Sequence, residues 1–471
     1  MKRKVIKTAL VSRVLIIVLQ IVFNNLIPDH DADAFHYKSA QKSSFGDKIV
    51  NFFFGGFGKW DGAHFLSIAE NGYIKERQYA FFPLLPMMMS MVANTVLLPL
   101  QWILSVYSRL LLAALVINVI SFTLAAYGIY ILSELVLNDA KLAYNSALLF
   151  CINPASVFFS STYTETLFAA LTFYGMILIE QGWYATSALT FALSTLTRSN
   201  GMVSCGFVLY KMTWQTIHYI SIKHHFSIFK LILTCCKNGF IILLSIAAIV
   251  LPFFVYQCYG FLNFCTDYDN ILKFLTDYIS GKNIAIRTRA PSWCDDRPPL
   301  LYSYIQNHYW DVGFLKYYQL KKIPNFILAF PMVVICICAV WIYSWKNWNT
   351  VKFLEFRKRT SVTIGYMSEA VFVYIVHLCT LVVFATTCIN IEVTTRLICS
   401  CCPAFYWYVA SVIKSKGHLK RKALAKDDHN TISTFYKHFA IDDFNTKLIL
   451  FYFLSYCVVG VLLHCNFLPW T

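Results

Sequence analysis

The feature that most constrains this chain is a series of long apolar runs. Val11–Ile27, Leu110–Leu135, Gly239–Tyr256 and Phe326–Tyr343 are almost free of charged residues. An α-helix needs about 20 such residues to cross roughly 30 Å of hydrocarbon, and several runs reach that length. The sequence therefore predicts an all-α, polytopic membrane protein.

Composition and charge agree with that prediction. Apolar residues make up 58% of the 471 residues and charged residues only 14%, too few to cover the surface of a soluble protein. The net charge of +16 is concentrated in basic clusters between apolar runs, such as Lys2–Lys4, Lys346–Arg359 and Lys414–Lys426. Basic residues beside membrane spans mark the cytoplasmic side. Because no basic stripe interleaves with aromatic residues on a soluble segment, nucleic-acid binding is not expected.

Threading the chain from a cytoplasmic N-terminus gives a single membrane domain, 1–471, with about eleven spans. Met1–Ile27 is interpreted as an uncleaved first span, because its apolar stretch is long and no small-residue cleavage site follows. Each large basic cluster then falls on the cytoplasmic side. Two polar segments fall on the opposite side, a first loop at 28–78 and a second loop at 257–324. Any chemistry on that side is expected at the membrane boundary.

The first loop contains the dipeptide Trp60-Asp61. The apolar spacing after it predicts a short amphipathic helix in the membrane interface, ending at Asn71-Gly72. Asp61 has two interpretations. It is either an N-cap that uses its lone pairs on backbone N–H groups, or a general base beside an aromatic ring suited to a sugar or lipid. Spacing alone favours the cap.

Further acids follow the first span directly. Asp29 and Asp33 belong to the run Asp29-His30-Asp31-Ala32-Asp33, whose Asp-x-Asp spacing also occurs in metal-dependent sugar transferases. So short a pattern fits a solvated acidic turn at a membrane exit equally well. Because the sequence has no phosphate-cradling glycine loop, a nucleotide-sugar donor is not expected.

Two charged residues interrupt apolar stretches. Glu165 follows a proline break at Asn153-Pro154, and Arg198 lies in the run Thr197–Gly201. Irregular backbone is tolerated in membranes where protein buries it or where it lines a cavity, and ionisable residues there indicate function. Glu165 also fits a helix N-terminus, where negative charge is favoured. Arg198 requires a partner, which is either a carboxylate such as Glu165 or a lipid phosphate.

The second loop interleaves aromatic residues with amides, as in Tyr302, Tyr304 and Gln306. Such residues suit a carbohydrate, because sugar rings stack on aromatic faces and sugar hydroxyls bond to polar groups. They equally suit an interfacial belt. Cysteines on the same side of the membrane allow a disulfide without fixing its pairing. They are Cys258, Cys265, Cys294 and Cys465.

Taken in order, these segments resemble one family, the second mannosyltransferases of glycosylphosphatidylinositol (GPI) anchor assembly, known as the phosphatidylinositol glycan class V enzymes. The matching segments run nearly from end to end, and the tail is the most distinctive. They are Ile27–His30, Trp60-Asp61 through Gly72-Tyr73, Ala80–Pro83, Arg198–Gly201, Trp293-Cys294, Tyr302–Gln306, Val312–Tyr318, Val376-His377 and Leu463–Thr471. No single motif is specific, but so many in one order argue against coincidence.

The resemblance implies a GT-C glycosyltransferase of the endoplasmic reticulum (ER) that adds a mannose in α-1,6 linkage from dolichyl-phosphate mannose on the lumenal side. Inversion in one displacement requires a base and no metal or other cofactor. The implied base is Asp61, with Asp29 and Asp33 behind it, and Arg198 is the implied ligand of the donor phosphate. The other candidates for binding donor or acceptor are Trp60, His64, Glu165, Asn200, Tyr302, Tyr304 and Gln306.

Expected partners are ER membrane lipids, dolichyl-phosphate mannose and the mannosylated GPI intermediate, with an accessory membrane subunit as a further candidate. Two non-catalytic alternatives remain open. A lipid or polyisoprenoid transporter would use Glu165 and Arg198 equally well, although no inverted repeat is visible in the sequence. The other alternative is a scaffold subunit of GPI assembly.

Overall fold

The structure is a computed structural model of the chain, and it describes residues 1–37, 43–222, 228–267, 270–281, 290–352, 364–417 and 443–470. Throughout these residues the chain forms α-helices and short 3-10 helices and no β-strand. The prediction of an all-α fold is therefore confirmed. The basic clusters predicted at 346–359 and 414–426 extend beyond the described residues.

The described residues contain eighteen α-helices, numbered here in chain order. They are α1 (Lys2–Leu26), α2 (Phe45–Phe54), α3 (Asp61–Asn71), α4 (Leu84–Asn94), α5 (Val106–Leu137), α6 (Ala140–Cys151), α7 (Glu165–Glu180), α8 (Tyr184–Thr195), α9 (Cys205–Ile222), α10 (Ile228–Cys265), α11 (Ile271–Ile279), α12 (Leu301–Trp310), α13 (Ile323–Lys346), α14 (Trp348–Lys352), α15 (Phe372–Thr387), α16 (Thr394–Cys401), α17 (Pro403–Gly417) and α18 (Phe444–Cys465).

Six helical segments of the described chain are long and apolar enough to cross a membrane. They are built on α1, α5, α10, α13, α15 and α18. The pair α16 and α17, bent by 82° between them, would make a seventh span. The chain is therefore a multi-pass membrane protein, as predicted, whereas the count of about eleven spans is not confirmed. The predicted span 81–106, for example, contains only the eleven-residue α4, which rises about 16 Å, too little to cross the hydrocarbon.

Two of the predicted spans are interrupted at the places where the sequence suggested function. Helix α6 ends at Cys151 because Pro154 has no N–H to donate and restricts the preceding Asn153. Residues 152–164 continue as buried turns. Helix α8 ends at Thr195, and a 3-10 turn separates it from α9. Protein surrounds the first break almost completely, as expected for irregular backbone at membrane depth.

The two loops on the predicted far side pack against each other. The Trp293 indole N–H donates to Glu76 Oε1 at 2.6 Å, and the Tyr309 hydroxyl donates to Glu76 Oε2 at 3.0 Å. A disulfide joins Cys265, at the end of α10, to Cys294. The structure thereby decides the disulfide pairing that the sequence left open. Both loops lie over the same region of the helical core.

Candidate active site

A cavity of about 710 Å³ lies where the first loop, the breaks before α7 and after α8, the second loop and the end of α18 meet. Many of the predicted site residues line it together, although they are widely separated along the chain. They are Trp60, Asp61, Glu165, Arg198, Asn200, Tyr302 and Gln306. This cavity is therefore the candidate active site.

Asp61 is the first residue of α3 and not its N-cap. The N-cap is Trp60, whose backbone has φ +56° and ψ −128°, a conformation that costs a non-glycine residue energy and persists only where its surroundings impose it. The Asp61 N–H donates to the Tyr163 hydroxyl at 3.1 Å. The capping interpretation of Asp61 is wrong, because this backbone turn starts the helix without a side-chain cap and leaves the carboxylate on the cavity wall.

Helix α3 forms as predicted, but it is not an amphipathic interfacial helix. Every residue from Gly62 to Ala69 is buried, because α3 packs against α4 and α5. His64 belongs to this core. Its ring stacks between Phe35 and Phe81, at centroid distances of 4.4 and 4.7 Å, and burial lowers its pKa to about 4. His64 therefore packs in the core beside the site and does not line the cavity.

Asp61 belongs to a row of four alternating charges. Arg396 Nη1 lies 3.0 Å from Asp61 Oδ2 and 3.9 Å from Glu165 Oε1. Arg198 Nη1 bonds to the same Glu165 oxygen, so the predicted pairing of Arg198 with Glu165 is confirmed. The Glu165 side chain is fully buried, and an isolated carboxylate there would be costly. Two acids and two arginines neutralise one another across the cavity wall.

This row of charges leaves polar atoms unused. Among the described residues, Asp61 Oδ1 has no hydrogen-bond partner, since Arg396 binds only Oδ2. Glu165 Oε2 and Arg396 Nε are buried and also lack a partner in the described chain. Nearly all buried polar atoms in proteins are paired, so unpaired ones in a cavity wall indicate where a ligand's polar groups bind.

The rest of the cavity wall is rich in amides. Glu392 Oε2 accepts hydrogen bonds from the Tyr317 hydroxyl and from Asn325 Nδ2, both at 2.7 Å. Asn200 Nδ2 and Asn390 Oδ1 are buried without a partner in the described chain. Amide and hydroxyl groups supply both donors and acceptors, which is what the hydroxyls of a sugar require.

Several candidate residues lie outside this cavity. Asp29 is exposed at the end of α1, where Lys59 Nζ pairs with it at 2.5 Å, and it lines a separate cavity of about 690 Å³. Asp33 is exposed as well, and Tyr304 stacks on His308 at 5.2 Å. None of the three lines the candidate active site. Within the described residues, no three His, Cys, Asp or Glu side chains are grouped to hold a metal ion.

Arg396 and His464 also line the cavity, although neither was singled out as a site residue from the sequence; His464 was noted only as part of the family-like tail. Arg396 lies in α16, directly before an apolar run that begins at Ile398. An arginine among apolar residues is the same signal that identified Arg198, so it could have been found. A histidine near the end of an apolar helix, such as His464 in α18, is more often a core residue and gives no comparable signal.

Comparison with known proteins gives a consistent result. The profile of a family described as Mannosyltransferase (PIG-V) matches residues 2–471. GPI alpha-1,6-mannosyltransferase 2 of Homo sapiens is 37% identical over 497 residues, covering 100% of this chain and 99% of that protein. GPI mannosyltransferase 2 of Drosophila melanogaster is 30% identical over 493 residues, covering 100% of each. The archaeal oligosaccharyltransferase AglB from Archaeoglobus fulgidus superposes with a TM-score of 0.46 and 11% identity, over 98% of this chain and 56% of that one, too weakly to support a functional argument.

Proposed function

Because this chain belongs to the mannosyltransferase (PIG-V) family, we propose that it is the α-1,6-mannosyltransferase that adds the second mannose to the GPI precursor. Relatives named for the α-1,6 activity match the whole chain, and they support the proposal. Its substrates are then dolichyl-phosphate mannose, as a lipid-linked donor, and a mannosylated GPI intermediate. The reaction takes place at the lumenal face of the ER membrane, with the N-terminus in the cytoplasm and any accessory subunit in the same membrane.

The observation that carries the mechanism is the Asp61 carboxylate on the cavity wall, held through Oδ2 by Arg396 at 3.0 Å. Its other oxygen accepts the proton of the acceptor hydroxyl. As that O–H bond breaks, the oxygen of the acceptor hydroxyl attacks the anomeric carbon of the donor mannose. The bond from this carbon to the phosphate oxygen of the donor breaks at the same time. The proton ends on Asp61 and the electron pair leaves on dolichyl phosphate. Since the donor is β-linked and the product α-linked, one inverting displacement suffices.

The leaving dolichyl phosphate needs cations that stabilise its negative charge more than it needs an acid that protonates it. Arg198 and Arg396 both line the cavity, and a guanidinium binds phosphate oxygens with several N–H donors in a fixed geometry. Arg198 uses Nη1 for Glu165, so the phosphate takes its remaining donors. Arg198 faces the cavity because the helix is interrupted beside it by the 3-10 turn Ser199–Ser204. Fixed donors aimed at developing charge are a major source of transition-state stabilisation.

The non-catalytic alternatives lose their support. A transporter or a scaffold subunit would explain buried charges, but the family to which the chain belongs is one of mannosyltransferases. The cavity also combines a carboxylate, two guanidinium groups and several amides, a set that serves sugar transfer directly.

The proposal is tested with microsomes from cells that lack the endogenous enzyme and express either the wild-type chain or Asp61→Asn. Microsomes are supplied with dolichyl-phosphate mannose and the one-mannose GPI intermediate, and the two-mannose product is measured. We expect Asp61→Asn to slow conversion roughly 100- to 10,000-fold, since general base catalysis contributes factors of that size.

The matched controls are Asp29→Asn and Asp33→Asn, which remove carboxylates of the same loop outside the cavity. Both should convert the intermediate within a few-fold of the wild-type rate. Normal turnover by Asp61→Asn would remove the base assignment. A wild-type chain that never elongates the one-mannose intermediate would overturn the proposed function itself.

A further inference from the structure

The last turn of α18 and the residues after it form one segment, 464–470, which turns back and becomes part of the cavity wall. His464, Pro469 and Trp470 all line the candidate active site. Trp470 lies directly on Gly460, where a Cβ atom would come within 2.8 Å of the indole. Any larger residue at Gly460 would therefore displace the Trp470 ring. The glycine lets this segment pack closely against α18 on its way back to the cavity.

This segment is also hydrogen-bonded to the first loop. The His30 N–H donates to the Asn466 carbonyl at 2.9 Å, and Lys59 Nζ donates to the Cys465 carbonyl at 2.5 Å. The Phe467 ring lies 5.7 Å from the ring of Trp60. These contacts join the segment to the turn that presents Asp61.

Phe467 and Trp60 both have a positive φ, +55° and +56°. Residues other than glycine adopt it at an energetic cost, and it persists only where the surrounding structure imposes it. Their mutual contact supplies such a constraint. The segment after α18 and the turn before Asp61 therefore support each other.

His464 is the side chain of this segment with the clearest unused bonding capacity. It is 1% exposed, and neither ring nitrogen has a hydrogen-bond partner among the described residues. Its ring lies 5.5 Å from the ring of Tyr163, the residue whose hydroxyl accepts the Asp61 N–H. Its charged neighbours are Lys59, Asp61 and Arg396. The Gly56 backbone also approaches the ring, but not with hydrogen-bond geometry.

We propose that His464 binds a hydroxyl of the acceptor sugar beside Asp61. A neutral imidazole has one donor nitrogen and one acceptor nitrogen, and a hydroxyl, which both donates and accepts, pairs with whichever of the two faces it. A phosphate group only accepts hydrogen bonds, and Arg198 and Arg396 already supply the N–H donors that it needs. The proposal rests on the proposed mannosyl transfer and adds a contact that holds the acceptor while Asp61 removes the proton.

The test compares His464→Phe, His464→Asn and His464→Gln with the wild-type chain in the microsomal assay, varying acceptor at saturating donor and the reverse. His464→Phe and His464→Asn should lower kcat/KM for the acceptor roughly 10- to 100-fold, in keeping with a lost hydrogen bond and an unpaired substrate hydroxyl. The KM for dolichyl-phosphate mannose should stay unchanged. His464→Gln should recover part of the loss, because its amide donor and acceptor reach one methylene farther than those of His464→Asn.

The matched control is His377→Phe, which alters a histidine that is also buried but lies outside the cavity lining. Rates are divided by the amount of full-length protein in the membrane, so a folding defect lowers abundance and leaves the KM values unchanged. Wild-type KM and kcat in His464→Asn, or a rise only in the donor KM, would overturn the proposal. Failure of the wild-type chain to make product would instead contradict the proposed function.

Discussion

Two regions of this protein bury arginine in contrasting ways. At the cavity, Arg198 and Arg396 are paired with the carboxylates of Glu165 and Asp61. In the middle of α1, Arg13 is 1% exposed and forms no ion pair with any carboxylate of the described chain. It uses neutral oxygens instead.

The contacts of Arg13 converge on the break between α6 and α7. Nη1 donates to the Ser156 carbonyl and to the Ser160 hydroxyl, both at 2.9 Å, and Nη2 donates to the Ser156 hydroxyl at 2.6 Å. The guanidinium also lies 3.7 Å from the centre of the Phe122 ring. Arg13 therefore fixes the irregular segment that leads to Tyr163 and Glu165.

The difference between Arg13 and the two cavity arginines shows how a charge that holds the fold can be distinguished from one that serves the active site. Arg13 donates to hydroxyl and carbonyl oxygens of α1, of the end of α6 and of the break that follows it, so its bonding capacity is used in holding the fold. The arginines at the cavity share two carboxylates between them and leave Asp61 Oδ1, Glu165 Oε2 and Arg396 Nε without partners in the described chain. Unused polar atoms that line a cavity, more than burial itself, indicate the reacting region.

The largest effect on stability is expected at Glu165. Glu165→Gln removes the central carboxylate and leaves Arg198 without its partner, which should lower the free energy of unfolding by about 3–5 kcal/mol. Thermal unfolding of the detergent-solubilised protein measures this change. The double variant with Arg198→Gln should regain part of the loss, because the two residues act as a pair. If the two losses simply add, the row of charges is not a coupled unit.

Arg396 should matter next, and chiefly for activity. Arg396→Gln frees the Asp61 carboxylate and removes a cation from the cavity, so kcat should fall roughly 100- to 1,000-fold, as for removal of a preorganised charge-stabilising donor. Microsomal turnover per molecule of protein measures it, and Arg396→Lys, which keeps the charge, should lose less. Wild-type turnover in Arg396→Gln would show that the Asp61 contact is only structural.

The smallest effect is expected at Arg13. Arg13→Met fills similar space but leaves the Ser156 carbonyl and two hydroxyls without their donors, so the free energy of unfolding should fall by about 1–3 kcal/mol. Turnover per folded molecule should stay within tenfold of wild type, with unchanged KM values. The contrast between the two regions fails if Arg13→Met loses activity as strongly as Arg396→Gln while its unfolding temperature stays the same.

Part of the site could be predicted because some signals are local. Glu165 and Arg198 stand out in the sequence, since a charge within an apolar stretch needs a partner wherever the chain places it. Trp60-Asp61 was identified for its position in a loop beside the membrane. The sequence ranked Asp29 and Asp33 behind Asp61 without excluding them, and their exposure and their place outside the cavity now distinguish them from it.

Other features could not be predicted, because they depend on which segments meet. The sequence contains four cysteines on the predicted far side of the membrane, and the folding of the second loop brings Cys265 and Cys294 together. The amphipathic spacing in α3 suggested a helix on the membrane surface, whereas α4 and α5 enclose it. Periodicity shows which face of a helix is apolar, and it does not show how many neighbours cover the other face.

The sequence by itself determined that this chain is a bundle of membrane helices with an irregular break at Pro154, and its motifs indicated the family. Those properties follow from hydropathy, helix length and proline geometry, which act within a few residues. Only the tertiary structure decided that Asp61 is held by Arg396, a contact between residues 335 positions apart. Such a contact depends on how α3 and α16 pack around the cavity, and no local pattern encodes that arrangement.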